Sequence, residues 1–164
     1  MSERVLVAGI GNIFLGDDGF GPEVVRELGR RSEPLPEHVR VVDYGIRGMH
    51  LAYDLLSGFD ALVLVDTVPG EGEPGDLVTL QISADDLDRG EYDAHGMQPT
   101  AVLSVVPSLG GELPPTYLVG CHPASLEEEM GLSQPVRDAV PKAADAVRTL
   151  LRELLSESTA ARRA

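Results

Sequence analysis

The sequence is poor in several residue types on which whole classes of protein depend. It has no tryptophan and only 4% aromatic residues, which leaves few rings on which nucleic acid bases could stack. Its single cysteine, Cys121, excludes an internal disulfide framework and is typical of a reducing compartment. No apolar run reaches the roughly 18 residues of a membrane span, and the start, MSERVLVAGIGN, lacks the layout of a signal peptide. We therefore expect a cytoplasmic protein that does not enter a membrane.

Positive charge is also scarce. Only 13 lysines and arginines face 27 acidic residues, for a formal net charge of -14. Such a surface repels nucleic acid phosphates and anionic lipids, so neither is an expected partner, whereas a basic patch or a cationic peptide would be attracted. The simplest interpretation is that acidity keeps the protein soluble. We expect a monomer with one domain over residues 1–155, followed by a flexible tail over residues 156–164.

Apolar runs alternate with amphipathic segments along the chain. Runs at residues 4–8, 39–42, 61–65 and 116–120 predict buried strands. Helices are predicted from Pro22 onward and over residues 49–56, 100–106 and 134–155, with a kink at Pro141. Residues 76–82 alternate in facing, and their link to the preceding strand is too short for a helical crossover, so this strand is predicted to be antiparallel. The pattern predicts a mostly parallel sheet covered by helices on both faces.

Acidic and imidazole side chains follow the predicted strands. Ligands of open α/β sheets bind outside the carboxyl ends of the strands, which meet at one edge. Carboxylate oxygens and an imidazole nitrogen there would form a site for a hard or borderline metal ion, with positions left open for water or substrate. The side chains expected at this edge are those of Asp17, Asp18, Asp66 and His95 (in the loop 92–98), with His122 as a further candidate.

Each of these residues also has a simpler interpretation. Asp17 or Asp18 could be the N-cap of the following helix, and Asp66 could be a turn residue before Pro69. A lone loop histidine such as His95 is usually only solvated. The hypothesis of a site therefore depends on the coincidence of these residues at one edge of the sheet.

The glycine-rich loop after the first strand is similar to a dinucleotide-binding turn, but it departs from that pattern. Phe14 stands where the third glycine of the fingerprint should be, and Asp17 and Asp18 would repel a pyrophosphate. The chain has no Walker-type Gly-Lys-Ser/Thr and no Gly-x-Ser-x-Gly elbow, and Cys121 has no clear base beyond His122. A nucleotide-dependent enzyme and a serine or cysteine nucleophile are therefore disfavoured.

Five segments, in order and over nearly the whole chain, resemble the hydrogenase maturation proteases. These endopeptidases trim the C-terminus of the large subunit of nickel–iron hydrogenases. The combination of GxGNxxxxDDGxG with a strand-end aspartate and a downstream histidine is specific, whereas each part alone is weak. The segments are VLVAGIGNIFLGDDGFGPEVVREL, DYGIRGMHL, ALVLVDTV, AHGMQPTAVLSV and YLVGCHPASLEEEMGLSQPV.

The resemblance implies a fold and a site. The fold is a three-layer α/β/α sandwich of the phosphorylase/hydrolase-like kind, with a five-stranded sheet of order 2-1-3-5-4 and strand 4 antiparallel. The family's catalytic and metal-binding pattern falls on Asp18, Asp66 and His95, which leaves Asp17 as a helix cap or a support residue. A segment thought to meet the substrate peptide falls on Gly45, Arg47 and Gly48.

The resemblance also implies an activity. The protein would be an aspartyl endopeptidase-like hydrolase that removes the C-terminal extension of a nickel-loaded hydrogenase large-subunit precursor. The nickel would arrive with the precursor, and zinc or cadmium would occupy the site only adventitiously. The alternative is a non-catalytic checkpoint or metallochaperone that binds the precursor with the same three residues, and a cleavage assay separates the two.

Overall fold

The computed structural model describes residues 3–83 and 103–163, and it contains one five-stranded sheet of order β2-β1-β3-β5-β4. Strands β2, β1, β3 and β5 are parallel, and β4 pairs with β5 in the antiparallel direction. The predicted order and the predicted direction of β4 are confirmed. The strands are β1 Val5–Ile10, β2 Val39–Gly45, β3 Ala61–Thr67, β4 Leu77–Ile82 and β5 Thr116–Cys121.

The central strands are the ones with unbroken apolar sequences. Every residue of β1 and β3 is buried, because helices cover both faces of the sheet at its centre. In the parallel register Val7 lies opposite Val41 on one side and Val63 on the other. The carboxyl ends of the four parallel strands therefore meet at one edge of the sheet, which we call the carboxyl edge.

Helices cover both faces and complete a three-layer α/β/α sandwich, as predicted. On one face Val5, Val7 and Val63 pack against apolar residues of α1 and α4. On the other face Leu6, Leu62 and their neighbours pack against α2 and α3. The helices are α1 Phe20–Arg30, α2 Gly48–Leu55, α3 Val105–Ser108 and α4 Gln134–Arg163.

The two ends of the helical layer differ from the prediction. Helix α1 begins at Phe20 rather than Pro22, because a 3-10 helix over Gly16–Gly19 leads directly into it. Helix α4 continues to Arg163, whereas the sequence pattern predicts an end at Leu155. Residues 156–163 contain no glycine or proline and include alanines and arginines, which favour helix and provide no stop. The backbone of the predicted tail is thus helical, while its mobility and the kink at Pro141 stay predictions.

Strand β3 is longer than predicted, and the difference affects the site. The apolar run ends at Val65, but the ladder continues, with Asp66 opposite Gly120 and Thr67 opposite Cys121. Asp66 therefore belongs to the rigid sheet rather than to the following loop. The predicted loop 92–98 with His95, and the first part of the predicted helix 100–106, lie outside the described residues. Across residues 3–83 and 103–163, no helix has the length and apolar character needed to cross a membrane.

Candidate functional site

The first loop turns back sharply where β1 ends at the carboxyl edge. Gly11 has φ of +143°, and a side chain there would collide with the carbonyl oxygen of Asp18. The N–H of Gly11 donates to the carbonyl of Gly45 at 3.0 Å, which fixes the loop to the end of β2. Only a glycine satisfies both the backbone conformation and the close approach. The loop consequently returns Asp18 to the end of β1.

The carboxylate of Asp18 is half-buried and is fixed from two directions. Its Oδ2 accepts the backbone N–H of Asn12 at 2.8 Å, within the first loop. Its Oδ1 accepts the hydroxyl of Thr67 at 3.3 Å, at the end of β3. The second bond joins two segments 49 residues apart. Asp18 is thereby held beside the strand that carries Asp66.

Asp66 is a buried acid with a negative neighbour. It is only 6% exposed, and its Oδ1 accepts the backbone N–H of Thr67 at 2.7 Å. Burial, and then the charge of Asp18, raise the pKa of Asp66 well above its ordinary range, and hydrogen bonds from Thr67 oppose this only in part. A bound cation or a proton would relieve the repulsion between the two carboxylates. The structure therefore brings together Asp18 and Asp66, two of the three residues predicted to form the site.

Thr67 is a site residue that the sequence analysis missed. It is buried, donates its hydroxyl to Asp18 and its N–H to Asp66, and so spans the two acids. No motif marks a single threonine after an aspartate. A signal was nevertheless present, because a polar pair ends the otherwise apolar run ALVLVDT.

The third predicted ligand, His95, lies outside the described residues, and its role stays a prediction. Among residues 3–83 and 103–163, no three histidine, cysteine, aspartate or glutamate side chains form a group that could hold a metal ion. Asp18 and Asp66 together provide two carboxylates with different exposure. Such a pair suits a hard or borderline cation, or can exchange a proton with a reacting water.

Asp17 points away from this pair and performs a structural task. It is 1% exposed, and its two oxygens accept the N–H groups of Ala124, Ser125 and Ser133 at 2.8, 3.1 and 2.6 Å, and the hydroxyl of Ser133 at 2.8 Å. The residue before α1 is Gly19, and α1 has no side-chain cap, so the prediction of Asp17 as a helix cap is wrong. The alternative, a support residue, agrees with these contacts. Because Ser133 directly precedes α4, the carboxylate also faces the positive end of that helix.

Cys121 and His122 follow β5 but do not form a nucleophile and base. Burial and the charge of Asp17 raise the pKa of Cys121 to about 12, so the thiol stays protonated at neutral pH. The Nδ1 of His122 lies 3.1 Å from the carbonyl oxygen of Val68, and its ring packs against Gly72. His122 is thus engaged with the turn between β3 and β4.

The segment predicted to meet the substrate lies beside the first loop. Gly45 has φ of +56°, donates its N–H to Oδ1 of Asp43 at 2.9 Å, and accepts the N–H of Gly11. The Arg47 guanidinium is exposed and donates to the carbonyls of Tyr44 and Asp43 at 3.3 and 2.8 Å. Gly48 begins α2, and Ile46 is 64% exposed. The substrate-binding role of Gly45, Arg47 and Gly48 stays a prediction.

Comparison with known proteins gives a consistent result. A family model described as hydrogenase maturation protease matches residues 22–150. The chain is 34% identical over 155 residues to the hydrogenase 2 maturation protease of Escherichia coli, a match that covers 92% of each protein. It is also 34% identical over 155 residues to the hydrogenase expression/formation protein HupD of Bradyrhizobium diazoefficiens, covering 92% of this chain and 79% of HupD.

A solved structure extends the similarity to three dimensions. The hydrogenase maturating endopeptidase HybD from Escherichia coli superposes with a TM-score of 0.77 at 31% identity, over 92% of this chain and 93% of that one. Sequence and fold thus agree over nearly the same length. The chain therefore belongs to the hydrogenase maturation protease family, and it is a hydrolase with a protease role in hydrogenase maturation.

Proposed function

We propose that this protease removes the C-terminal extension from a nickel-loaded precursor of a hydrogenase large subunit. The observation that carries the proposal is the buried carboxylate of Asp66 beside the half-buried carboxylate of Asp18. Burial and the charge of Asp18 disfavour ionisation of Asp66 in the free protein, and a divalent cation that arrives from outside would stabilise both carboxylates in their charged form. A protease that must act only on a metal-loaded substrate needs a site of this kind.

In this proposal the nickel is cargo of the substrate and not a resident cofactor. Asp18 and Asp66 would face it with carboxylate oxygens and His95 with an imidazole nitrogen, a donor set that suits borderline divalent ions. The same donors would accept zinc or cadmium adventitiously. Deprotonation of Asp66 accompanies binding, because the cation replaces the proton that its raised pKa retains.

The difference in exposure between Asp18 and Asp66 suggests a different role in hydrolysis for each. Asp18 is the more accessible, so it would accept a proton from the attacking water and return it to the amine that leaves. Asp66, in the rigid strand β3, would hold its position relative to the metal. The result is cleavage of one peptide bond close to the precursor's metal site.

The extension itself would lie along residues 45–48. The exposed side chain of Ile46, between Gly45 and Gly48, offers an apolar contact to an extended peptide. The guanidinium of Arg47, although engaged with Asp43 and Tyr44, is exposed and would meet a peptide carbonyl or carboxylate. We expect the protein to act as a monomer on this one protein partner.

The decisive experiment mixes the purified protein with nickel-loaded and nickel-free forms of a hydrogenase large-subunit precursor and weighs the products by mass spectrometry. We expect the large subunit to be shortened only when nickel is present. An Asp66→Asn variant should leave the precursor intact. Binding of nickel-loaded precursor without any cleavage would instead identify a non-catalytic checkpoint.

A further inference from the structure

A groove of about 590 Å³ lies between α1 and α4, on the face of the sheet opposite α2 and α3. Both helices start near the carboxyl edge and run back from it, so the groove begins behind the loop that carries Asp18. Gly16 and Gly19, on either side of the Asp17–Asp18 pair, form its upper wall. We call this feature the α1–α4 groove.

The upper part of the α1–α4 groove exposes apolar side chains on a rigid frame. Ile13 and Met130 line it and are 41% and 66% exposed. Their loops are joined by backbone hydrogen bonds, from Gly16 N–H to the Glu129 carbonyl at 2.7 Å and from Glu129 N–H to the Phe14 carbonyl at 3.0 Å. Large apolar side chains held in the open by an ordered backbone mark an interaction surface more often than isolated exposed residues do.

The charges of the groove contrast with those of the whole chain. Two glutamates line it, but Glu23 pairs with Arg26 at 3.4 Å, and Glu27 pairs with Arg31, outside the groove, at 3.3 Å. The remaining lining arginines are Arg30, on the last turn of α1, and Arg137, on the first turn of α4. Within the described part of the chain, neither has a carboxylate partner.

One of these two arginines is fixed at the start of α4. Arg137 donates to the Leu132 carbonyl at 3.2 Å, so its guanidinium is held near the groove's upper end. The first turn of α4 contains no acidic residue, and the buried carboxylate of Asp17 already offsets the positive end of the helix dipole, so the positive charge of this end of the groove comes from Arg137. A protein of net charge -14 therefore has a groove whose unpaired charges are cationic.

We propose that the α1–α4 groove is the docking surface for the folded body of the precursor, separate from the cleft that receives its extension. The occupant would be a precursor segment with an apolar side chain, packed between Ile13 and Met130, and carboxylates that pair with Arg30 and Arg137. This inference rests on the proposed function for the identity of the partner. Repulsion by the acidic surface elsewhere would leave the groove as the favoured contact and fix the orientation of the complex.

The test compares charge reversal in the groove, Arg137→Glu combined with Arg30→Glu, with the charge reversal Lys142→Glu outside it on α4. Lys142 is exposed, lies five residues from Arg137 and does not line the groove. We expect Arg137→Glu combined with Arg30→Glu to raise the KM for nickel-loaded precursor about tenfold with kcat unchanged, as for the loss of two interfacial charges. Lys142→Glu should leave both constants as in the unmodified protein.

Two further measurements make the result specific to docking. The KM of the unmodified protein should rise with salt, and the double variant should lose most of that dependence. Precursor binding is measured separately by anisotropy in an Asp66→Asn background, so the proposal can be judged even if no cleavage occurs. Circular dichroism verifies that the charge-reversed proteins are folded.

The outcomes separate the two proposals. Cleavage with the same KM in the unmodified protein and the double variant, at every salt concentration, would overturn docking in the groove and leave the protease function intact. Binding that depends on Arg30 and Arg137, with no cleavage by the unmodified protein, would retain docking and reject the protease function. A dimer in sedimentation that Arg137→Glu dissociates would also overturn the proposal, since the occupant would then be a second copy of this chain.

Discussion

Asp17 and Asp18 are adjacent in the sequence but lie in regions of opposite character. Asp17 is surrounded by four hydrogen-bond donors from residues 124–133, which compensate its burial. Asp18 accepts two hydrogen bonds and faces another acid, Asp66, whose buried carboxylate has no cation beside it in the described part of the chain. The first region resembles a satisfied structural anchor, and the second an incomplete site. A buried acid is therefore a functional candidate only when hydrogen-bond donors or a cation do not compensate its burial.

The largest effect is expected when one charge is removed from the incomplete site formed by Asp18 and Asp66. We expect Asp18→Asn and Asp66→Asn each to reduce precursor cleavage at least about 1,000-fold, because the amide keeps the shape but carries no negative charge to neutralise a cation and is a weaker ligand than a carboxylate. His95→Ala should behave likewise, since it removes the only nitrogen of the predicted ligand set. The assay monitors cleavage of nickel-loaded precursor by mass spectrometry, and circular dichroism verifies that each variant is folded. Full processing by the folded His95→Ala protein would remove this histidine from the assignment.

Substitution of Asp17, in the satisfied region, should act mainly on the stability of the protein. Asp17→Ala leaves four donors without an acceptor, and we expect the free energy of unfolding to fall by about 2–4 kcal/mol. Asp17→Asn should lose less, but it still turns an amide N–H₂ toward donors, so it is not a neutral control for Asp18→Asn. Urea titration measures both variants. Unchanged stability in Asp17→Ala would show that the contacts with residues 124–133 contribute little.

At Asp66, in contrast to Asp17, removal of the charge should raise the stability of the metal-free protein. Because its pKa in the folded protein is raised above that of the unfolded chain, the folded form retains a proton that the unfolded chain releases as pH rises. Its contribution to stability is therefore present below the unfolded value near 3.8 and is lost as pH rises through the raised value. We expect Asp66→Asn to raise the melting temperature of the metal-free protein at neutral pH. The difference in melting temperature between the variant and the unmodified protein should become smaller as the pH is lowered.

The measurement for Asp66 is a series of thermal melts of both proteins in chelator from about pH 4 to pH 8, a range that starts near the pKa of an unperturbed carboxyl. Nickel or zinc should stabilise the unmodified protein and not the variant, because the cation offsets the same repulsion. A variant that is less stable than the unmodified protein at neutral pH would contradict the argument from burial and the charge of Asp18.

The sequence could predict the sheet because apolar runs such as residues 61–65 record burial on both faces, and parallel strands bring their carboxyl ends to one edge. Local patterns alone could not distinguish the roles of Asp17 and Asp18, which only the family resemblance assigned. The donors that satisfy Asp17 lie more than 100 residues away, and no local pattern reveals them. The extension of β3 through Asp66 was missed for a related reason, since a polar residue that ends an apolar run looks the same in a strand and in a turn. The end of α4 was missed because nothing after Leu155 either continues the apolar repeat or stops the helix.

The smallest expected effect comes from Thr67, which connects the strand of Asp66 to the carboxylate of Asp18. Thr67→Val keeps the β-branched shape and the backbone N–H that donates to Asp66, and removes the hydroxyl, which donates to Asp18 and also opposes the raised pKa of Asp66. We expect cleavage to fall about tenfold, with stability changed by about 1 kcal/mol or less, because one hydrogen bond to a half-buried acid is lost. Thr67→Ser retains the hydroxyl and should restore most of the activity, which a purely steric role for Thr67 would not allow. Nickel titration provides a second readout, since a less firmly held Asp18 should weaken binding. Equal activity in the valine and unmodified proteins would mean that the 3.3 Å contact does not position Asp18, and that the first loop alone holds this acid beside Asp66.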